Sequence, residues 1–307
     1  MARLVKILTI DGGGMRGVIP ATVLMEIERR TGKPAAKLFD LIAGTSTGGI
    51  LAVGLASGYS AAALRQLYLE QARVIFPSSQ FPLSVWDLSK RPFAEKYPSQ
   101  GIESVLKKYF GNRRLKDSAC QVLVPSYEIH LRQPWFFRSC RAREDPAYDF
   151  ALWEVARATS AAPTYFPPAR IGSWTLIDGG TFANNPAMCA YADARRADPA
   201  ADILLVSLGT GRHVEPVAYR PGLLGWASPI LNIVFDGVSR TVEYQLQDIL
   251  PLEPGRRQYY RFQTDLTIAG DAIDDTRPAS LAALQREGEH IIAAQEADLA
   301  ALCAVLA

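Results

Sequence analysis

At 307 residues, 49% hydrophobic and 21% charged, the chain has the make-up of a globular protein with material for a substantial core. Thirty-three basic residues against thirty-one acidic ones leave a net charge of +2, so there is no electrostatic case for a nucleic-acid polymer and only a weak one for anionic membrane. Four scattered cysteines with no C-x-x-C pair, and three histidines away from them, lack zinc-ligand spacing; the expectation is a reduced, cytoplasmic compartment and no cofactor.

In chain order, Met1-Ala2-Arg3 passes directly into a β-branched run at 5–10, too early for the apolar core of a signal peptide. That strand ends in Asp11-Gly12-Gly13-Gly14-Met15-Arg16-Gly17, and a helix is predicted over 18–30, with Pro20 in its first turn and Gly32 beyond its end. The stretch 38–57 repeats the plan: an apolar strand, Gly44-Thr45-Ser46-Thr47-Gly48-Gly49, then a helix. No charge occurs between Asp40 and Arg65, yet the glycines at its centre argue for buried core rather than a lipid-exposed span.

A helix is expected over 60–74, then an irregular stretch at 76–101 in which four prolines alternate with aromatic residues, read equally as a tied-down loop or as a lid over a cleft. Further on come a helix over 102–110, strands over 120–129 and 134–139, and a helix over 150–159 with Asp149 as its cap. A strand over 174–177 ends in Asp178-Gly179-Gly180; Asn184-Asn185-Pro186 opens a helix over 187–196; a strand over 203–208 follows. The rest reads as largely helical at 223–250, strand-like at 258–263, and an amphipathic helical tail over 279–307. Strand–helix alternation predicts α/β: a three-layer sandwich with a mainly parallel sheet, one domain over 1–307 and a helical C-terminal third.

Three glycine turns thus stand at strand ends, and in parallel sheets such ends collect along one edge, where ligands bind. A serine on a sharp strand–turn–helix is pushed clear of the sheet, and the helix aims its free N–H groups at the same spot. Serine is a weak nucleophile and needs a base within reach. Asp178, preceded by Leu176 and Ile177, sits in an apolar setting that raises a carboxyl pKa towards a useful value. The bare amides of Gly12, Gly13 and Gly14 suit an oxyanion, and Arg16 could add charge there or on a phosphate.

Taken together and in this order, Asp11–Gly17, Gly44–Gly48 and Asp178–Gly180 resemble the patatin-like phospholipase family, as do the segments 160–167 and 184–186. The resemblance implies Ser46 as nucleophile, Asp178 as its partner in a Ser–Asp dyad, Gly12, Gly13 and Gly14 as oxyanion hole, and calcium-independent hydrolysis of phospholipid or other acyl-lipid esters. It also leaves room for an effector switched on by a cyclic nucleotide, and for peripheral membrane contact.

Two other readings stay open on sequence. Gly12-x-Gly14-x-x-Gly17 satisfies a dinucleotide fingerprint, although Asp11 would face a pyrophosphate and no ribose-binding acid ends the second strand. An α/β-hydrolase triad needs a late histidine: His290 falls within a predicted helix, while His213 and His130 lie at strand ends. Trp226, Leu231, Ile233, Val234 and Phe235 form an apolar stripe that suits either core or a membrane interface.

Overall fold

Alternation along the strands decides the layers. In β1 (Leu4–Ile10), Ile7 packs to one side of the sheet while Leu8 and Ile10 pack to the other. The same division separates Leu41 and Ala43 from Ile42 in β2 (Leu41–Gly44), and Ile203 and Leu205 from Leu204 and Val206 in β7 (Asp202–Leu208). Strands apolar on both faces need cover on both faces, which is why the chain builds three layers. The computed structural model describes residues 3–77, 95–217, 229–251 and 258–307.

With β3 (Gln121–Glu128) and β8 (Tyr259–Phe262), these strands form a parallel block in the order β3-β2-β1-β7-β8. One face carries α1 (Val18–Thr31), α3 (Thr47–Ala56), α4 (Ala61–Ile75), α5 (Ser99–Phe110), α7 (Leu152–Thr159), α11 (Pro278–Ala294) and α12 (Glu296–Leu306). The other carries α9 (Ala187–Ala197) and α10 (Pro229–Ile249). Among the described residues there are also three short helices, α2 (Ala35–Leu38), α6 (Ser139–Glu144) and α8 (Gly180–Ala183). The sheet is mixed and mostly parallel, as expected.

The charge-free stretch becomes β2, the Ser46 turn, α3 and the first turn of α4, and α3 is buried on every side. Gly48, Gly49 and Gly54 cost this helix about 1 kcal/mol each in propensity. Burying Ile50, Leu51, Val53 and Leu55 returns roughly 2 kcal/mol apiece, so tertiary packing makes the helix. Among the described residues no helix is long and apolar enough to cross a membrane.

The antiparallel part of the sheet positions the site. β4 (Gln133–Arg138) occupies one side of β3 from Leu123 to Glu128. The other side is shared: β2 pairs in parallel with Gln121, Val122 and Leu123, whereas β6 (Trp174–Asp178) pairs antiparallel with Ser126, Tyr127 and Glu128. β2 and β6 therefore run towards each other along one side of β3 and meet head-on beside Val124 and Pro125. β5 (Ala169–Ile171) pairs with β6 at the sheet margin. The expectation of parallel strand ends holds for Asp11 and Ser46 but not for Asp178, whose strand arrives from the opposite direction.

Two local expectations are corrected. Asp149 does not cap α7; its carboxylate takes Arg114 Nε at 2.7 Å and the Lys116 N–H at 3.1 Å, and the Glu154 side chain accepts the Ala151 N–H instead. The C-terminal tail is two helices, broken at Gln295, whose amide accepts the Gln263 N–H at 3.3 Å and donates to the Arg261 carbonyl at 2.9 Å. The break covers the open edge of β8.

Candidate active site

Ser46 stands between β2 and α3 with φ 55° and ψ −121°, a backbone conformation that a non-glycine residue holds only when its surroundings enforce it. The enforcement is visible on each side. The Ser46 N–H donates to Thr159 Oγ1 at 2.9 Å, and that hydroxyl donates to the Pro125 carbonyl at 2.6 Å. Thr45 Oγ1 donates to the Ala183 carbonyl at 2.6 Å, tying the turn to α8, which follows Asp178. The flanking glycines are required by contact: a Cβ on Gly44 would lie 2.0 Å from the Gly48 carbonyl oxygen, and one on Gly48 would lie 2.1 Å from that of Ile10.

Asp178, 2% exposed, accepts the Gly180 N–H at 2.7 Å and shares the cleft with Ser46, whose hydroxyl favours its charged form. Burial pushes its carboxyl up to about 7, against the lowering effect of those two donors. Both side chains open into a cleft that Gly13 and Gly14 also line, with walls of Ile50, Tyr68, Ile75, Phe76, Ile102 and Phe166. Phe76, Tyr97 and Phe166 stack into one aromatic wall, their ring centroids 5.3–5.8 Å apart. The expected lid residues 78–94 lie outside the described residues, as does Trp226.

Two sequence expectations need revision here. The Gly12 N–H donates to the Asn184 carbonyl at 3.0 Å and is not available to an oxyanion. The Gly13 and Gly14 amides have no acceptor among the described residues and stand at the cleft, as does Thr47 at the first turn of α3. Arg16 does not line the cleft; it is buried behind the glycine turn, with Nη1 3.0 Å from His213 Nε2.

The family match accords with this geometry. A model of the patatin-like phospholipases matches residues 8–191, a stretch that holds Ser46, Asp178 and the glycine turn. The chain belongs to the patatin-like phospholipase family. Patatin-like protein 2 of Arabidopsis thaliana is 31% identical over 94% of this chain and 83% of its own length. Patatin-like protein 1 of Oryza sativa subsp. indica is 30% identical over 94% and 81%. Among solved structures, VipD from Legionella pneumophila superposes over 95% of this chain and 67% of its own, with a TM-score of 0.45 at 11% identity.

In this patatin-like chain two of the fingerprint glycines are required by close packing. A Cβ on Gly12 would lie 2.3 Å from Asn184 Oδ1, and one on Gly17 would lie 2.2 Å from Thr47 Oγ1. None of the three histidines reaches the cleft: His130 meets Thr175, His213 meets Arg16 and Asp271, and His290 is exposed on α11. Asn185 Oδ1 accepts the Ala187 N–H at 3.0 Å where α9 begins, whereas Asn184 faces the cleft and donates to Ser239 Oγ of α10. The adjacent Asn-Asn pair was the available signal, and nothing in it separates the two roles. Phe235, read as part of an apolar stripe, lines the cleft too. Among the described residues no group of His, Cys, Asp and Glu has the arrangement of a metal site.

Proposed function

We propose that the protein hydrolyses the carboxylic esters of phospholipids or other acyl lipids through an acyl-enzyme on Ser46. The observation that carries this reading is that Ser46 and the buried Asp178 line one apolar cleft together, with burial pushing the Asp178 carboxyl up to about 7. A carboxylate with that pKa is matched to taking a proton at neutral pH.

Ser46 Oγ attacks the ester carbonyl as Asp178 takes its proton. The carbonyl oxygen gains the negative charge and is met by the Gly13 and Gly14 amides and by the Thr47 N–H at the start of α3. Asp178 returns the proton to the departing alcohol, which leaves the acyl group on Ser46. It then deprotonates a water that attacks the acyl-enzyme and frees the fatty acid. The aliphatic and aromatic cleft walls suit an acyl chain and offer nothing to a charged one. The described histidines all stand elsewhere, which favours a dyad over a triad.

Product analysis of lipid extracts incubated with purified protein and with its Ser46→Ala variant tests the proposal. Fatty acid and lysolipid released by the first and not by the second are expected. Equal release by both would overturn it.

A further inference from the structure

The glycine turn that faces Ser46 is itself held from outside the 8–191 stretch. Between β8 and α11, the segment 267–275 crosses over the turn as a strap. Its near end is fixed by Glu287 of α11, fully buried, whose Oε1 accepts the N–H groups of Thr267, Ile268 and Ala269 at 2.9, 2.6 and 3.1 Å. Midway, the Ile273 carbonyl accepts the Met15 N–H at 2.7 Å and lies so near Gly14, at φ 58°, that a Cβ there would sit 2.2 Å from it. The far end is fixed by Asp274, which accepts the Tyr97 hydroxyl at 2.7 Å and pairs with Lys96. Lys96 and Tyr97 in turn donate their N–H groups to the carbonyls of Thr164 and Tyr165, next to the cleft wall.

We propose that Asp274 is a positioning residue for ester hydrolysis. By anchoring the strap to Lys96 and Tyr97 it holds the Ile273 carbonyl on Met15, and so keeps the Gly13 and Gly14 amides aimed at the oxyanion. The inference rests on the reading of Ser46 as nucleophile given above. Its physical basis is that oxyanion donors act through fixed placement, and Gly14 has no side chain of its own to hold it.

The test compares the full-length wild type with Asp274→Ala on p-nitrophenyl butyrate, active sites being counted by titration with diethyl p-nitrophenyl phosphate. Hydrogen exchange at the Met15 amide is followed in parallel. The expected result is a fall in kcat per titrated site of about tenfold, the order of a misplaced catalytic group, with KM within about twofold and faster exchange at Met15. Should Asp274→Ala fail to fold, Tyr97→Phe keeps the ring against Phe76 and Phe166 and carries the same expectation in smaller measure. Unchanged kcat per site overturns the proposal, as does unchanged exchange at Met15. Loss of titratable sites with normal turnover in those remaining is mere unfolding and overturns it equally. A wild type that cleaves no ester would sink the hydrolase reading instead, and Met15 exchange would still decide whether Asp274 holds the turn.

Discussion

Asp11 and Arg261, 250 positions apart in sequence, are joined by two hydrogen bonds of 3.1 and 2.7 Å inside the protein. Arg261 also donates to Ser207 Oγ at 2.8 Å, so one guanidinium binds the start of the glycine turn to β7 from its place on β8. Burial disfavours the Arg261 charge, but Asp11 outweighs it and keeps the group protonated. Removing Asp11 leaves the buried Arg261 charge with Glu243, 3.6 Å away, as its one remaining carboxylate in ion-pair reach among the described residues. Asp11→Asn should therefore cost about 3–5 kcal/mol in urea unfolding, and the double variant Asp11→Leu/Arg261→Met should cost less than either single change. A double variant as damaged as the sum of the singles would contradict this account.

The pH dependence of activity follows from Asp178. Its carboxyl is raised from 3.8 to about 7, so the proton-accepting form is gained as pH rises through that value. kcat/KM should climb to a plateau above about pH 7 and fall tenfold per unit below it. Stability should move the other way. Between the two values the folded state binds more protons than the unfolded one, so stability declines as pH rises through that window. Asp178→Asn should abolish activity, yet stabilise the fold by up to about 4 kcal/mol at pH 8, with no gain at pH 4. Melting temperatures of the two proteins at both pH values check the sign.

Histidine substitution separates dyad from triad. His290→Ala should retain hydrolysis within about twofold, whereas Ser46→Ala should lose at least ~10³-fold. A folded His290→Ala protein without activity would restore the triad reading.

Glycine at the serine turn is a matter of space. Gly48→Ala would drive a methyl group into the Ile10 carbonyl, a backbone atom held in β1, and should cost about 3 kcal/mol or prevent folding. Chemical denaturation of Gly48→Ala beside the permissive Gly58→Ala, whose Cβ meets nothing within 4 Å but whose φ is 95°, measures steric clash against backbone strain.

Much of the fold was legible because its strands are short apolar runs closed by glycine, and because Ser46 sits on a strand–turn–helix whose neighbours spell out the bend. Other features were not legible, for identifiable reasons. The direction of β6 depends on which side of β3 is left vacant, a property of packing that Trp174–Asp178 does not encode. Gly12, Gly13 and Gly14 look alike in sequence, yet one amide is taken by the distant Asn184 carbonyl while the other two have no acceptor among the described residues. Arg16 reads as a charge for the oxyanion or a phosphate, yet it lies buried behind the turn beside His213, a partner 197 positions away that the local sequence does not reveal. Gln295 interrupts an amphipathic pattern that carries no break, since its partner is the edge of β8 rather than anything local.

The head-on approach of β2 and β6 has a consequence for how this architecture can change. Asp178 stands at the open end of the β5–β6 hairpin, whose turn, at Gly172 and Ser173, lies at the other end of β6 and has open space around Gly172. Residues added at that turn would lengthen the hairpin outward while its inner end stayed in step with Ser126. Decoration can accumulate on the rim without altering the spacing of the reacting pair.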